Sequence, residues 1–198
     1  MNEAQGRSLL DLVTARRGHF RLESGHHGAL WLDLDALFAN SRRIAPLVAQ
    51  LATAIGRHQV SAVCGPLLGG AFLAQLLAQA LDVEFWFAER VAPAETGGLY
   101  ETRYRLPAAL ASRARDHRVA IVDDVMSAGS SLRATFAELR AHGAQPVVVG
   151  VLLALGRTGL DFLDELELPV EALARDAYEL WLPAACPLCA ARIPLENI

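Results

Sequence analysis

A chain of 198 residues with 53% hydrophobic content has room for one sizeable core but not for two ordinary domains, so one domain with a small appendage is expected. A net charge of −4 argues against a general nucleic-acid binder, which displays a basic face. All 18 basic residues are arginine, which excludes lysine Schiff-base chemistry and a lysine-bearing nucleotide loop; any fixed cation is a forked guanidinium suited to phosphate or carboxylate. There is no uncharged apolar run of about 18 residues, and the polar start Met1–Gln5 lacks signal-peptide character. A soluble cytoplasmic protein with no membrane partner is therefore expected, and Cys64, Cys186 and Cys189 form no disulfide framework.

In chain order, Leu9, Leu10, Leu12 and Val13 predict a short amphipathic helix over Arg7–Arg17, stopped by Gly18. Phe20–Gly25 and Ala29–Leu32 predict two short strands around a turn. Ser41 is the expected N-cap of a helix whose Ile44, Val48, Leu51 and Ile55 fall at helical spacing before Gly56. Val60–Cys64 predicts a buried strand that enters the turn Gly65–Gly70, and Leu73, Leu76, Leu77 and Leu81 mark the helix beyond it. Val83–Ala88 predicts a further strand. Arg90–Pro107 has no sustained apolar period and is expected to be a lid or binding loop, with Gly97–Gly98 as its hinge. Leu132, Phe136 and Leu139 mark a helix ended near Gly143, and Pro146–Leu155 a strongly apolar strand. In the acidic tail, Val170–Leu173 and Tyr178–Leu182 are candidate edge strands. The alternation of strands and helices predicts a mainly parallel sheet.

The chemistry concentrates at Val119–Ser131. An apolar run reads as a buried strand closed by Asp123 and Asp124, and Ser127, Ala128, Gly129, Ser130 and Ser131 then offer small side chains and backbone N–H groups at the start of a helix. That is how a chain cradles a phosphate. Carboxylates one step from such a cradle suit a ligand with a phosphate at one end and hydroxyls or a magnesium-bound diphosphate at the other, as in a phosphorylated sugar. In an open parallel sheet the loops after Cys64, Ala88 and Val122 converge on one edge. The Gly65–Gly70 loop, with Gly65, Pro66, Gly69 and Gly70, carries no bulky polar side chain; it either binds a ligand through backbone N–H groups or is a tight structural turn. Cys186 and Cys189 form a single CxxC with two soft ligands where a structural zinc takes four. Unless a histidine or a second subunit completes the set, they are two ordinary thiols. No Ser/His/Asp order, HExxH or dinucleotide glycine fingerprint is present.

Hydrophobic run, acidic pair and Ser127-Ala-Gly-Ser130 resemble the 5-phosphoribosyl-1-diphosphate motif of the type I phosphoribosyltransferases, and the wording Val125-Met-Ser-Ala-Gly-Ser130 is most similar to the orotate phosphoribosyltransferases. The resemblance implies an α/β fold, a mainly parallel twisted sheet flanked by helices. Its single domain divides into an N-terminal helix and hood over about 1–40, a core sheet over about 41–160 and a tail over about 161–198. It also implies transfer of a nitrogenous base onto phosphoribosyl diphosphate with release of diphosphate, with orotate as the leading base.

Further implications concern individual residues. Gly65–Gly70 becomes the diphosphate loop. Asp123 and Asp124 contact ribose hydroxyls and, directly or through water, Mg2+, and help stabilise the positive ribose, although Asp123 also reads as a structural acid. Arg90 supplies charge to the departing diphosphate, with Arg103 and Arg105 either as substitute charge sources or as solvated surface arginines, in a homodimer whose lid reaches the neighbouring site. Phe20 and Glu23 belong to the hood over the base, and Arg157 either contacts the base or forms a surface ion pair. The chain departs from the orotate phosphoribosyltransferase pattern at Glu23, where that group has lysine, at Gly69, where many of its members have lysine, and in its lysine-free lid. An anionic base gains nothing from a carboxylate at the hood, so two alternatives stand: another base such as a purine, and a non-catalytic regulatory protein that binds phosphoribosyl diphosphate or a nucleotide.

Overall fold

The computed structural model describes residues 14–91 and 98–197. Strands β1 (Thr14–Arg21) and β2 (His27–Asp33) form an antiparallel hairpin, Thr14 opposite Asp33 and Arg21 opposite His27, with a register shift between Arg17 and Phe20. The helix expected over Arg7–Arg17 falls largely outside the described residues, and Thr14–Arg17, its last part, is strand instead. Pairing decides this: Ala15 lies opposite Leu32 and Arg16 opposite Trp31, and the Arg16 guanidinium covers the rings of Phe20 and Trp31. Such tertiary contacts override local propensity.

A short helix α1 (Asp35–Phe38) leads to α2 (Ser41–Gly56), which buries Ile44, Val48, Leu51 and Ile55 at the predicted spacing. The N-cap is Asn40 rather than Ser41. Asn40 has extended backbone, and its side-chain oxygen accepts from the backbone N–H groups of Arg42 and Arg43 at 3.2 and 3.3 Å. Next come β3 (Ala62–Pro66), α3 (Gly69–Leu81), β4 (Glu84–Val91) and the short strand β5 (Arg103–Arg105). Here the expected loop Arg90–Pro107 is corrected. Its two ends pair as an antiparallel ribbon, Arg90 opposite Tyr104, because Tyr104 turns inward while Arg103 and Arg105 face solvent. Gly97 lies outside the described residues.

After α4 (Ala108–Ala111), β6 (Arg118–Met126) runs straight through Asp123 and Asp124, so the acid pair belongs to the strand rather than closing it. Helix α5 (Ser130–Ala141), β7 (Gln145–Leu155), α6 (Thr158–Glu165) and β8 (Val170–Asp176) complete the core. The core therefore extends to Asp176, beyond the boundary expected near residue 160. Tyr178–Leu182 is not a strand; it makes one bridge, Trp181 to His27. A turn of 3-10 helix at Pro183–Ala185, the short α7 (Pro187–Ala190) and β9 (Glu196–Asn197) end the described chain.

The main sheet has six strands in the order β5-β4-β3-β6-β7-β8, all parallel except β5. Period-two alternation splits its core. Ala120 and Val122 face α2 and α3 with Leu51, Ile55 and Leu77. Val119 and Ile121 face the other layer with Trp86, Leu132, Leu139 and Leu163. Each fully buried large aliphatic contributes about 1.5–3 kcal/mol relative to exposure. A second sheet, β2-β1-β9, carries the hood over the carboxyl edge. Among the described residues no helix is long and apolar enough to cross a membrane.

Candidate active site

From β3 the sheet grows outward in two directions, to β4 on one side and β6 on the other. That makes the crevice between the carboxyl ends of β3 and β6 the topological switch point where open α/β sheets bind ligands. The turn Gly65–Gly70 and the acid pair with its serine-rich loop meet there. A Cβ at Gly69 would fall on the Asp124 carboxylate, and one at Gly70 would come within 2.8 Å of Asp123 Oδ1 and 2.6 Å of Pro66 Cδ. Glycine thus lets the turn's backbone lie directly against both acids. Leu67 N–H donates to Ala88 O at 2.9 Å, tying the turn to β4, and the Leu67–Leu68 peptide is cis.

Asp123 is buried, accepting from Ser131 Oγ at 2.6 Å and from Asp124 N–H at 3.0 Å. Burial, and then the neighbouring Asp124 charge, push its carboxyl well above the ordinary range. Asp124 is half-buried and accepts from Val125 N–H at 2.7 Å. Beyond them Gly129, at φ +72°, turns the chain into α5, and Gly159 N–H pins the loop by donating to Ser127 O at 2.9 Å. Ala128 is buried, with Ser127 and Ser130 half-buried beside it.

The hood turn after β1 reaches this cradle. Glu23 accepts from Ser130 Oγ at 3.2 Å and Tyr104 OH at 3.0 Å, and pairs with Arg90 at 3.4 Å. The repulsion expected between Glu23 and an anionic base is therefore offset by a guanidinium and two hydroxyls already on that carboxylate. Burial, then Glu23, hold the Tyr104 hydroxyl in its protonated, donating form, its pKa raised far above the ordinary value. Tyr100 N–H donates to Ser24 O and Thr102 Oγ1 to Glu23 O, so the hood rests on the β4–β5 ribbon. Between hood and cradle lies a cleft of about 170 Å³ lined by Glu23, Ser24, Val125, Ser127, Ser130 and Tyr178, among others. A neighbouring cavity of about 440 Å³ includes Arg103, Tyr104 and Arg133 in its lining.

Other expected residues lie elsewhere. Phe20 is fully buried, its ring packed over Gly18. Arg157 is exposed at the start of α6 and pairs with Asp161 at 2.8 Å and Asp164 at 3.1 Å, the surface ion pair that was one of its two expected readings. Arg105 points to solvent on the edge ribbon. Sequence reading missed Arg133. From the first turn of α5 it donates to Ala128 O at 3.2 Å and Thr158 O at 3.4 Å, and its guanidinium lies 4.5 Å from the Tyr100 ring centroid and 3.7 Å from that of Phe162. A basic residue one turn into the helix after the cradle was the available signal.

A family model described as the phosphoribosyl transferase domain matches residues 33–165. The chain belongs to the phosphoribosyltransferase family. Curated relatives named orotate phosphoribosyltransferase include that of Thermotoga maritima, 30% identical with 91% of this chain and 89% of the relative covered, and that of Carboxydothermus hydrogenoformans, 31% identical over 94% and 92%. In fold the chain is similar to the Aeropyrum pernix orotate phosphoribosyltransferase (TM-score 0.64, 22% identity, 86% and 92% covered). It is likewise similar to the Rhodothermus marinus adenine phosphoribosyltransferase (TM-score 0.67, 18% identity, 88% and 100% covered). The type I phosphoribosyltransferase fold expected from the sequence is borne out.

In this phosphoribosyltransferase Asp123 carries a stability cost with a definite sign. Its folded-state pKa lies above the ordinary 3.8, so the native chain holds a proton that the unfolded chain releases. Stability falls as pH rises from about 4 through the raised value, and the loss persists above it. Asp123→Asn should therefore raise Tm at neutral pH, on a scale where each 1 kcal/mol shifts Tm by about 2–4 °C in a chain of this size, while lowering turnover. The amide still accepts from Asp124 N–H and donates to Ser131 Oγ. Calorimetry at pH 7.5 tests it; an unchanged or lower Tm contradicts the buried-charge account.

Proposed function

We propose that this phosphoribosyltransferase joins orotate to C1 of the ribose of 5-phosphoribosyl 1-diphosphate, releasing diphosphate, as a cytoplasmic homodimer assisted by Mg2+. The observation that carries the reading is the convergence of the Gly65–Gly70 backbone, the Asp123–Asp124 pair and the Ser127–Ser131 loop at the switch point. Orotate is supported by relatives of that name that match more than nine tenths of this chain.

The 5-phosphate sits in the Ser127–Ser131 loop, held by backbone N–H groups and the positive end of α5. The diphosphate lies along the Gly65–Gly70 backbone. Asp124, half-buried beside Asp123, faces the ribose, and its negative charge stabilises the oxocarbenium-like centre that forms as the C–O bond to diphosphate breaks and the base nitrogen bonds to C1. Two adjacent carboxylates are a fitting donor set for Mg2+, which takes one or two carboxylates together with substrate phosphates and waters. Asp123 is buried whereas Asp124 is half-buried, so Asp124 is the better ligand, direct or through water. When bound, the ion supplies positive charge to the leaving diphosphate. Arg90, and Arg103 beside the larger cavity, supply the remainder, one of them to the neighbouring subunit.

The base is tested by offering the full chain, with phosphoribosyl diphosphate and Mg2+, a panel of orotate, uracil, adenine and hypoxanthine and following diphosphate release. Orotate should exceed every other base in kcat/KM by about 10⁴-fold or more, the discrimination expected of polar groups built to pair with one substrate. Preference for a purine overturns orotate. Saturable binding of phosphoribosyl diphosphate without turnover of any base overturns the enzyme in favour of a regulatory binding protein.

A further inference from the structure

The CxxC pair is not alone in space. His19 from β1 and His27 from β2 meet Cys186 and Cys189, and the four ligand atoms lie within 4.8 Å of one another. The separations are 3.0 Å from His19 Nε2 to His27 Nδ1, 3.4 Å from Cys186 Sγ to His19 Nε2, 3.7 Å from Cys189 Sγ to His19 Nε2, and 3.3 Å from Cys189 Sγ to His27 Nδ1. A tetrahedron with Zn–N near 2.05 Å and Zn–S near 2.3 Å has N–N and N–S edges of about 3.3 and 3.6 Å. The observed separations scatter about those edges.

We propose that His19, His27, Cys186 and Cys189 form a structural zinc site, separate from the acid pair, that clamps the C-terminal segment onto the hood.

Local structure explains how the ligands are aimed. His19 falls in the register shift of β1, and such irregularities re-aim a side chain out of the strand's alternation. Its other nitrogen, Nδ1, lies 2.8 Å from Ile193 O. The carbonyl can only accept, so Nδ1 carries the proton and Nε2 turns its lone pair toward the sulfurs, the outer contact that orients a ligating histidine. Cys186 caps α7 and Cys189 follows one turn later, which sets both sulfurs on one side of the turn. His19, His27 and Cys186 are each more than nine tenths buried. Four protein ligands of this type close the coordination shell, which identifies a structural zinc rather than a catalytic one. Its binding displaces the two thiol protons.

The segment has little else to hold it. α7 has four residues and β9 two, paired to β1 only at Phe20–Glu196 and Arg21–Asn197. Helices this short are not stable alone. The Arg16–Glu196 ion pair is about half exposed on both sides, and such pairs contribute roughly 0–1 kcal/mol. Besides the His19–Ile193 contact, Trp181 just before the segment bridges to His27, one of the ligands. A zinc here orders residues 183–197 and, through β1 and β2, fixes the turn that carries Glu23.

Zinc is measured by inductively coupled plasma mass spectrometry on the untagged full chain, as purified and after reduction and reloading with Zn2+. About one zinc per chain is expected. The Co2+-loaded chain should show thiolate-to-cobalt charge-transfer and tetrahedral d–d bands, absent from the Cys186→Ser/Cys189→Ser chain and kept in Cys64→Ala. Cobalt held by the acid pair alone would lack the thiolate band. Hydrogen exchange over residues 183–197 should speed up when a chelator removes the metal. Substoichiometric zinc after reloading, or a cobalt spectrum indifferent to the double serine change, overturns the site. None of these readouts depends on which base is used or on whether any base is turned over.

Discussion

Asp124→Asn should lower kcat for diphosphate release by about 10²–10³-fold, while the KM for phosphoribosyl diphosphate changes by less than about tenfold. Asparagine keeps the shape of the side chain and can still accept from Val125 N–H, which lies 2.7 Å from Asp124 Oδ1, so the strand and the cradle after it stay in place. What is lost is one negative charge beside the ribose. At roughly 4 Å and an effective dielectric constant near 20, two unit charges interact by about 4 kcal/mol. The ribosyl centre carries only part of a charge, and the amide dipole replaces part of the carboxylate field, so about 3–4 kcal/mol is the upper end. The effect is selective for the transition state because substrate and product are uncharged at C1. Steady-state kinetics with saturating base, together with single-turnover rates, separate the terms. An unchanged kcat would sink the proposed role, and a raised KM alone would make Asp124 a ground-state ligand.

What the sequence disclosed depended on how far apart the cooperating residues lie in it. β3, β6, β7 and the helices that follow β3 and β6 each announce themselves within a dozen residues, through an apolar run or a 3.6-residue period, and the acid pair and cradle lie inside one such unit. Where the partner is remote, local reading misleads. Thr14–Arg17 carries no strand signal of its own; β2 supplies it by pairing Arg16 with Trp31. The period of Arg103-Tyr104-Arg105 is too short to be read, and only pairing to β4 makes it a strand. Glu23 looked repulsive because Arg90, Tyr104 and Ser130, which hold it, come from three other segments. The CxxC looked incomplete for the same reason: its histidines stand 159 to 170 positions earlier in the chain. Helix α6 went unread because its apolar face rests on Leu160 and Leu163 amid acidic neighbours.

Gly69→Ala is expected to lower kcat by about 10–10²-fold without a matching loss of stability. Gly69 is only partly buried, and the methyl group's nearest neighbours would be Asp124 Oδ2, Cγ and Oδ1 rather than backbone. The side chain that must give way is therefore the one proposed to face the ribose. A short carboxylate rotates at a cost of about 0.5–1.5 kcal/mol when forced off its rotamer, so the fold survives. The reactive geometry does not, because a displacement on the order of 1 Å at a positioned group costs about 10²-fold in rate. The mechanism predicts strong coupling: once Asp124 is asparagine, the charge that alanine would displace is already gone. The Gly69→Ala/Asp124→Asn enzyme should be no slower than Asp124→Asn alone within about threefold, the mark of two changes that act on one group. Fully multiplicative losses would mean that Gly69 works through the diphosphate backbone contacts instead. Alanine at Gly70, by contrast, meets Pro66 Cδ at 2.6 Å and Val122 O at 2.8 Å. Those are ring and backbone atoms that cannot rotate aside, so Gly70→Ala should lower Tm as well as kcat, and the pair of variants separates a glycine that admits a carboxylate from one that admits the turn.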